Sequence, residues 1–511
     1  GFFPVRCQAR IGRGAQFSFL PPADKHLHGA RCRRVFGLFD AAQNSQRPRL
    51  CQVHLATARP ATVLHQRRPS MVQSLLHFIE WFARPMLGYV IDNPPILNQL
   101  AKEFAQMTDP RADVVALQYE SWTYPEPIRN LETWLSNNWQ WFDPSHAHRL
   151  LWPDRPYKPD MDILIAGCGT NQAAVFAYTN RGSNVVAIDI SQPSLDHARY
   201  LKNKYALQNL ELHLLPIEDA RSLGEFDLIV STGVLHHLAD PQAGMKALSS
   251  CLRPDGVVAL MLYARYGRHG VELLQSVFRD LGLHQDKQSL AIVKQALASL
   301  AGTHPLKSYL AIAPDLAFDA GLVDTFLHGR DRSYTTDGCR ELLASAGLLF
   351  QDWFLKAPYY PPTLTESGNA FYQAVNELPP AEMFSTMERL RTQNACHFFL
   401  GCHAERAASS YRIDFAAPDA VDYIPLMRYR CGVDGQDVYR PGWRMRLAPA
   451  QMAFVQHIDG DRTVRQIAEK MARGAAHGRI EPVELETSCL ALFEGLWRMD
   501  FLAVDLSATA R

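Results

Sequence analysis

No Cys-x-x-Cys pair occurs among the ten cysteines, which stand at 7, 32, 51, 168, 251, 339, 396, 402, 431 and 489. Such scattered spacing excludes a dense disulfide framework and is what a reducing compartment such as the cytoplasm permits. Net charge is absent as well. The 52 basic residues balance 52 acidic ones, so no global field draws the chain to nucleic acid or to an anionic membrane. A run long enough to cross a membrane is missing too. The most apolar early stretch, LLHFIEWFARPMLGYVI, is broken by Glu80, Arg84 and Pro85 and falls short of the roughly 20 apolar residues that a span needs. The first 70 residues lack methionine, a sustained apolar period and acidic balance, running from Arg6 to Arg68 in arginine against only Asp24 and Asp40. They read as a basic targeting arm or as upstream sequence translated from a misplaced start; the proline content favours the second.

What is present is long enough, at 511 residues, for about two to four domains. From Met71 to about residue 158 the text is helical and then aromatic, with Trp122, Trp134, Trp139, Trp141 and Trp152 between prolines. Such tryptophans line a ligand pocket or pack a cap onto a neighbour, and packing is the commoner use.

From 159 to 408 strands and helices alternate at the pace of a parallel, doubly wound α/β sheet. DILIAG, NVVAIDI, LELHLLPIEDA, FDLIVSTG and GVVALMLY are the first five strands, and Ser191 with Pro193 opens the helix after the second. Helical insertions follow strand five (about 264–333) and separate the last two strands (about 358–393). Ligands are expected at the C-terminal strand ends, with the insertions as walls.

ILIAGCGTNQAA, Ile163 to Ala174, joins the first strand to its helix through a glycine turn. Nicotinamide enzymes favour Gly-x-Gly-x-x-Gly. Here Gly167 and Gly169 are in place, but the third position is Gln172. Asp189 ends the second strand, where a carboxylate can hold ribose hydroxyls. Glu218 and Asp219 follow strand three, at the level of an adenine edge. With FDLIVSTGVLHHL and LRPDGVVAL added, the chain resembles the class I S-adenosylmethionine-dependent methyltransferases over about Asp160 to Tyr263, more loosely over Tyr334 to Cys402.

That resemblance implies a Rossmann-like sheet and S-adenosyl-L-methionine as cofactor. Gly167, Gly169, Thr170 and Gln172 would line its methionine part, Asp189 the ribose, and Ile190, Glu218 and Asp219 the adenine; Thr232 and Val234 would approach the sulfonium methyl. Ile165 stands where an acidic residue is usual, and Asn171 where a third glycine is usual. Asn171 is expected to keep the turn because asparagine tolerates positive φ. His236 and His237 are candidate general bases, with Tyr263 beside them, and Arg265, Tyr266 and Arg268 are candidates for gripping an anionic substrate or for sealing the insertion. His328, Arg330, Asp331 and Arg332 read as an internal ion-pair network.

Residues 409–511 form a further unit. Helix, Gly460 turn, helix, long helix and strand, with a capping box from Thr463 to Gln466, read as a winged-helix-like α+β module. Arg428, Arg430, Arg440, Arg444 and Arg446 there suggest a solvated face or a partner dock rather than a nucleic-acid surface. The function expected is methyl transfer to an unidentified small molecule, peptide or protein; the alternative is a non-catalytic, regulatory binding protein on the same scaffold. No metal and no membrane partner are expected.

Overall fold

A computed structural model describes residues 114–122, 124–474 and 482–509. The basic first 70 residues and the helices expected around SLLHFIEWF and PPILNQLAKEFAQM lie outside the described residues. The strands are β1 (Asp162–Ala166), β2 (Asn184–Asp189), β3 (Leu210–Leu214), β4 (Phe226–Thr232), β5 (Leu252–Tyr263), β6 (Leu348–Trp353) and β7 (Cys396–His403). They form one seven-stranded sheet in the order β3-β2-β1-β4-β5-β7-β6. The first five are parallel neighbours, while β7 runs antiparallel to both β5 and β6.

Continuous apolar runs suit strands that are covered on both faces, and the side chains divide by the two-residue period of a strand. Ile163, Ile165, Val185, Ala187, Leu228, Val230 and Ala259 enter one core. Leu164, Ala166, Ile188, Ile229, Val258 and Leu260 enter the core on the opposite face. Strand order reverses between β1 and β4, so the crevice above those two C-terminal ends is the natural ligand site.

The insertion after β5 folds as helices His269–Asp280, Lys287–Ser299, Leu306–Leu310 and Asp319–Phe326. Val271, Phe278, Val293 and Val323 are fully buried or nearly so and join the first core. Ahead of the sheet, helices Val114–Ser121, Leu131–Asn137 and Pro144–Leu151 make the cap. The tryptophans mostly pack: the Trp152 indole N–H donates to Asp255 O (3.0 Å), that of Trp122 to Gln285 O (3.1 Å), and Trp139 meets Trp141 edge-on.

The C-terminal part has its own core, including Val438, Val455, Ile467, Phe493 and Phe501. Its strands are β8 (Ile424–Met427), β9 (Gly432–Asp434), β10 (Asp437–Arg440), β11 (Trp443–Arg446) and β12 (Leu502–Asp505). β9–β11 form an antiparallel meander, and β12 returns to pair with β8. Helices Pro449–Val455, Val464–Gly474 and Pro482–Arg498 lie between β11 and β12. Thr463 and Gln466 exchange the two bonds of the capping box. Arg444 and Arg446 pair with Asp434 and Asp437 on the exposed meander. Arg428 instead meets Asp500 (2.6 Å), whose carboxylate also accepts the Lys356 and Ala357 amides, tying this part to the sheet domain.

Candidate functional site

A cavity of about 600 Å³ opens above β1, β2, β4 and β5, roofed by the cap and the post-β5 insertion. Its floor is the turn after β1. Gly167 (φ +77°) and Gly169 (φ +53°) sit in the left-handed region that favours glycine. A Cβ on Gly167 would lie 2.4 Å from Val234 Cγ2, so the turn has no room for a side chain. Asp189 closes the turn: Oδ2 accepts the Gly169 amide (2.8 Å) and Oδ1 the Ser191 amide (2.9 Å). Burial pushes this carboxyl above its usual range, and those amides pull it back. The Gln172 amide donates to Thr232 Oγ1 (3.2 Å), bridging the turn to the end of β4.

The structure brings together, on the wall of one cavity, Gly167, Gly169, Gln172, Asp189, Ile190, Glu218, Asp219, Thr232, Val234, His237 and Tyr263. Thr170 is not on that wall; it is fully buried, and its hydroxyl donates to Pro125 O (2.8 Å). Ile165 is fully buried in the core.

Asn171 corrects the sequence reading. Its φ is −128°, ordinary for any residue. Its side chain instead holds the cap: Oδ1 accepts the Ile128 amide (2.9 Å) and Nδ2 donates to Glu126 O (2.8 Å).

The histidines separate. His236 is fully buried, stacks on Tyr263 with ring centroids 3.9 Å apart, has no hydrogen bond to either nitrogen, and is not among the residues that line the cavity. His237 does. Its Nδ1 donates to Arg330 O (2.8 Å), which leaves a lone pair on Nε2. Burial, with His328 stacked against it at 3.8 Å, brings its pKa down to about 4.

Of the two roles the sequence leaves open for Arg268, its contacts match sealing of the insertion. Its guanidinium is buried over the Tyr263 ring (3.6 Å) and donates to Asp331 (2.9 Å) and Tyr309 Oη (2.9 Å). Arg265 is exposed, Tyr266 half-buried, and neither lines the cavity.

Sequence reasoning missed Tyr119, Tyr124 and Asp324, which line the same cavity. Asp324 accepts from Tyr119 Oη (2.8 Å) and Tyr263 Oη (3.4 Å). Nothing local in AGLVDTF marks this aspartate, since it lies 61 residues after Tyr263 and 205 after Tyr119. Trp141, expected to pack, also lines the cavity.

Two groups of side chains lie close enough to share an ion: His236, His237 and Asp331, and His237, Asp324 and His328, each with ligand atoms within 4.8 Å. His237 Nδ1 is committed to Arg330 O, and His328 Nδ1 accepts the Arg330 amide (3.0 Å), which keeps the His328 proton on Nε2. His237, with one nitrogen donating to a carbonyl and the other free, has the arrangement of a metal-bound histidine, whereas His328, whose Nδ1 accepts an amide and whose Nε2 carries the proton, does not. No helix among the described residues is long and apolar enough to cross a membrane.

Residues 164–258 match the family described as "Methyltransferase domain". An uncharacterized protein of Synechococcus sp. is 27% identical over 371 residues, covering 70% of this chain and 87% of that protein. The tRNA 5-carboxymethoxyuridine methyltransferase of Escherichia coli K12 is 34% identical over 108 residues, 20% of this chain and 41% of that enzyme. Among solved structures, PKMT2 from Rickettsia typhi in complex with AdoHcy is similar with a TM-score of 0.51 and 17% identity, covering 71% of this chain and 75% of that one; this shows the fold. The seven-stranded mixed sheet is that of a Rossmann-like methyltransferase, the chain carries a methyltransferase domain, and the matches support S-adenosylmethionine as its cofactor.

Proposed function

We propose that the chain is a class I S-adenosylmethionine-dependent methyltransferase acting on a small molecule, peptide or protein. The observation that carries this reading is Asp189, a half-buried carboxylate at the end of β2 that braces a glycine turn and faces a cavity. The cavity fits the cofactor chemically. Asp189 would accept from the ribose hydroxyls. Ile190, Glu218 and Asp219 would hold the adenine, the first by apolar contact and the acids by its polar edge. Gly167, Gly169, Gln172 and Thr232 would take the methionine part, with Val234 beside its sulfonium.

When bound, S-adenosylmethionine supplies an electrophilic methyl carbon on a good leaving group, so the chain's own task is positioning and exclusion of water. Asn171 performs part of that task by holding residues 126–128 of the cap over the turn. Tyr119, Tyr124 and Trp141 also line the cavity, and the acceptor would sit against them. His237, neutral at neutral pH with Nε2 unprotonated, can accept a proton there, whereas His236 is a packing residue.

The non-catalytic scaffold reading is not favoured, because the turn, Asp189 and a roofed cavity are all intact. We take residues 409–511, as a winged-helix-like module, to be a docking unit for a protein partner, and the cytoplasm as the location, in keeping with the seven described cysteines all being free. Incubation with methyl-labelled S-adenosylmethionine in a matched cell extract tests the activity. Label in a protein or small-molecule fraction, lost on Asp189→Ala, supports the proposal; no transfer above an enzyme-free control sinks it.

A further inference from the structure

The cofactor reading accounts for the wall to which Gly167, Asp189, Asp219 and Val234 contribute and leaves the side under the post-β5 insertion to be explained. There, Asp324 comes in from the helix Asp319–Phe326, 3% exposed. Oδ1 accepts from Tyr119 Oη at 2.8 Å and Gln118 Nε2 at 3.4 Å, and Oδ2 accepts from Tyr263 Oη at 3.4 Å. All three donors are neutral. Asp331, seven residues on, is by contrast neutralised by the buried guanidinium of Arg268. Among the described residues Asp324 forms no ion pair with a lysine or arginine. Arg330, on the same wall, turns a guanidinium N–H to His237 O (3.3 Å).

A buried carboxylate without a cation is costly, and a carboxylate has about four acceptor sites, of which three are used here. The surroundings suit a positive charge. The cavity wall carries Tyr119, Tyr124 and Trp141, and aromatic faces attract cations. His237 adds a second acceptor rather than a competing charge, since its Nδ1–H is spent on Arg330 O. A ring nitrogen of His237 and an oxygen of Asp324 lie within 4.8 Å of one another. Two acceptors bonded at about 2.9 Å to one tetrahedral nitrogen stand about 4.7 Å apart.

We propose that this side of the cavity binds a cationic amine as methyl acceptor, and that Asp324 takes the proton an ammonium nitrogen must lose before its lone pair is available. The inference rests on the methyltransferase reading above. In the proton step an N–H bond breaks and an O–H bond forms; R–NH₃⁺ and Asp324 carboxylate become R–NH₂ and Asp324 carboxylic acid, with total charge unchanged. Burial raises the Asp324 pKa and so narrows the gap to the ammonium it must deprotonate. Tyr119 and Tyr263 are positioning residues that aim the carboxylate.

The test uses the full chain and three ligands in calorimetry: AdoHcy, and two analogues of it in which nitrogen replaces sulfur and carries either a 2-aminoethyl or a propyl arm toward the acceptor side. The wild type is expected to bind the aminoethyl analogue about tenfold or more tightly than the propyl one. In Asp324→Asn, which keeps shape and an acceptor oxygen for the tyrosines, that preference should vanish while AdoHcy affinity holds within about twofold. Equal affinity of the two analogues for the wild type, or an amine preference that survives in Asp324→Asn, overturns the proposal. So does a parallel loss of AdoHcy binding in the variant, which would make Asp324 a partner of the cofactor. Failure of the wild type to bind AdoHcy is a different result: it removes the methyltransferase reading, and this inference with it.

Discussion

Asn171 Oδ1 accepts the backbone N–H of Ile128 at 2.9 Å, while its Nδ2 donates to Glu126 O at 2.8 Å, so one side chain in the ligand turn fastens the cap that roofs it. Replacing Asn171 by glycine would restore the residue that the resembled family usually has there, yet at φ −128° no backbone strain would be relieved. The buried Ile128 amide, once orphaned, costs about 1–3 kcal/mol, while Glu126 is exposed and its carbonyl can turn to water. Asn171→Gly is therefore expected to lower stability by about 2 kcal/mol and to weaken AdoHcy binding as the cap loosens. Urea denaturation and calorimetry check both; an unchanged or raised midpoint would show that the clamp is unimportant.

At Gly167 the expectation is steric. An alanine there combines a φ of +77° with a Cβ 2.4 Å from Val234 Cγ2. The turn must shift, so Gly167→Ala should fold with a penalty of about 1–3 kcal/mol and lose measurable AdoHcy binding. Circular dichroism with a binding titration separates the two effects. Retained affinity in a folded variant would place the ligand elsewhere.

The two histidines of VLHHL should respond differently. His236 has no hydrogen bond on either nitrogen and stacks on Tyr263, so His236→Phe keeps the contact and removes two buried polar atoms. Stability should be unchanged or higher, and label transfer into extract should stay within about threefold of wild type. His237→Phe breaks the bond to Arg330 O and loses the cavity's neutral acceptor; its transfer rate should fall about tenfold or more. Equal losses in both variants would return His236 to the chemistry.

Much of the frame was legible in the sequence, because strands covered on both faces must be written as apolar runs and left-handed turns as glycine. β1 to β5, the Gly167–Gly169 turn, Asp189 and the insertion after β5 follow from those two constraints. Asp324 and Tyr119 were not legible. Each sits on an ordinary helix, and only the folded insertion and cap bring them to one point across 205 residues of chain. Asn171 was misread for a related reason: a tolerant backbone was inferred from residue type, whereas its role depends on a partner more than forty residues away. The meander β9–β11 has short strands and few buried side chains, which leaves a weak alternation in the text.

Acid should unfold the protein through its buried histidines. His237, His328 and His397 each have a pKa lowered to about 4, chiefly by burial. Because the folded value lies below the unfolded one of about 6.5, the unfolded chain binds more protons between those limits. Stability is fully present above about pH 6.5 and falls as pH drops toward 4, by up to about 1.4 kcal/mol per pH unit for each histidine. Urea midpoints at pH 7.5 and 5.0 check the sign; a midpoint that rises on acidification would contradict these burials.

Asp189 and the turn it braces are expected to read an adenosine cofactor, and calorimetric titration of the full chain with AdoHcy, alongside Asp189→Ala, is the decisive measurement. Saturable one-to-one binding to the wild type is expected, with a loss of about tenfold or more in the variant, the scale of a charged hydrogen-bonding pair. No binding to the wild type, or equal binding to both proteins, would contradict it.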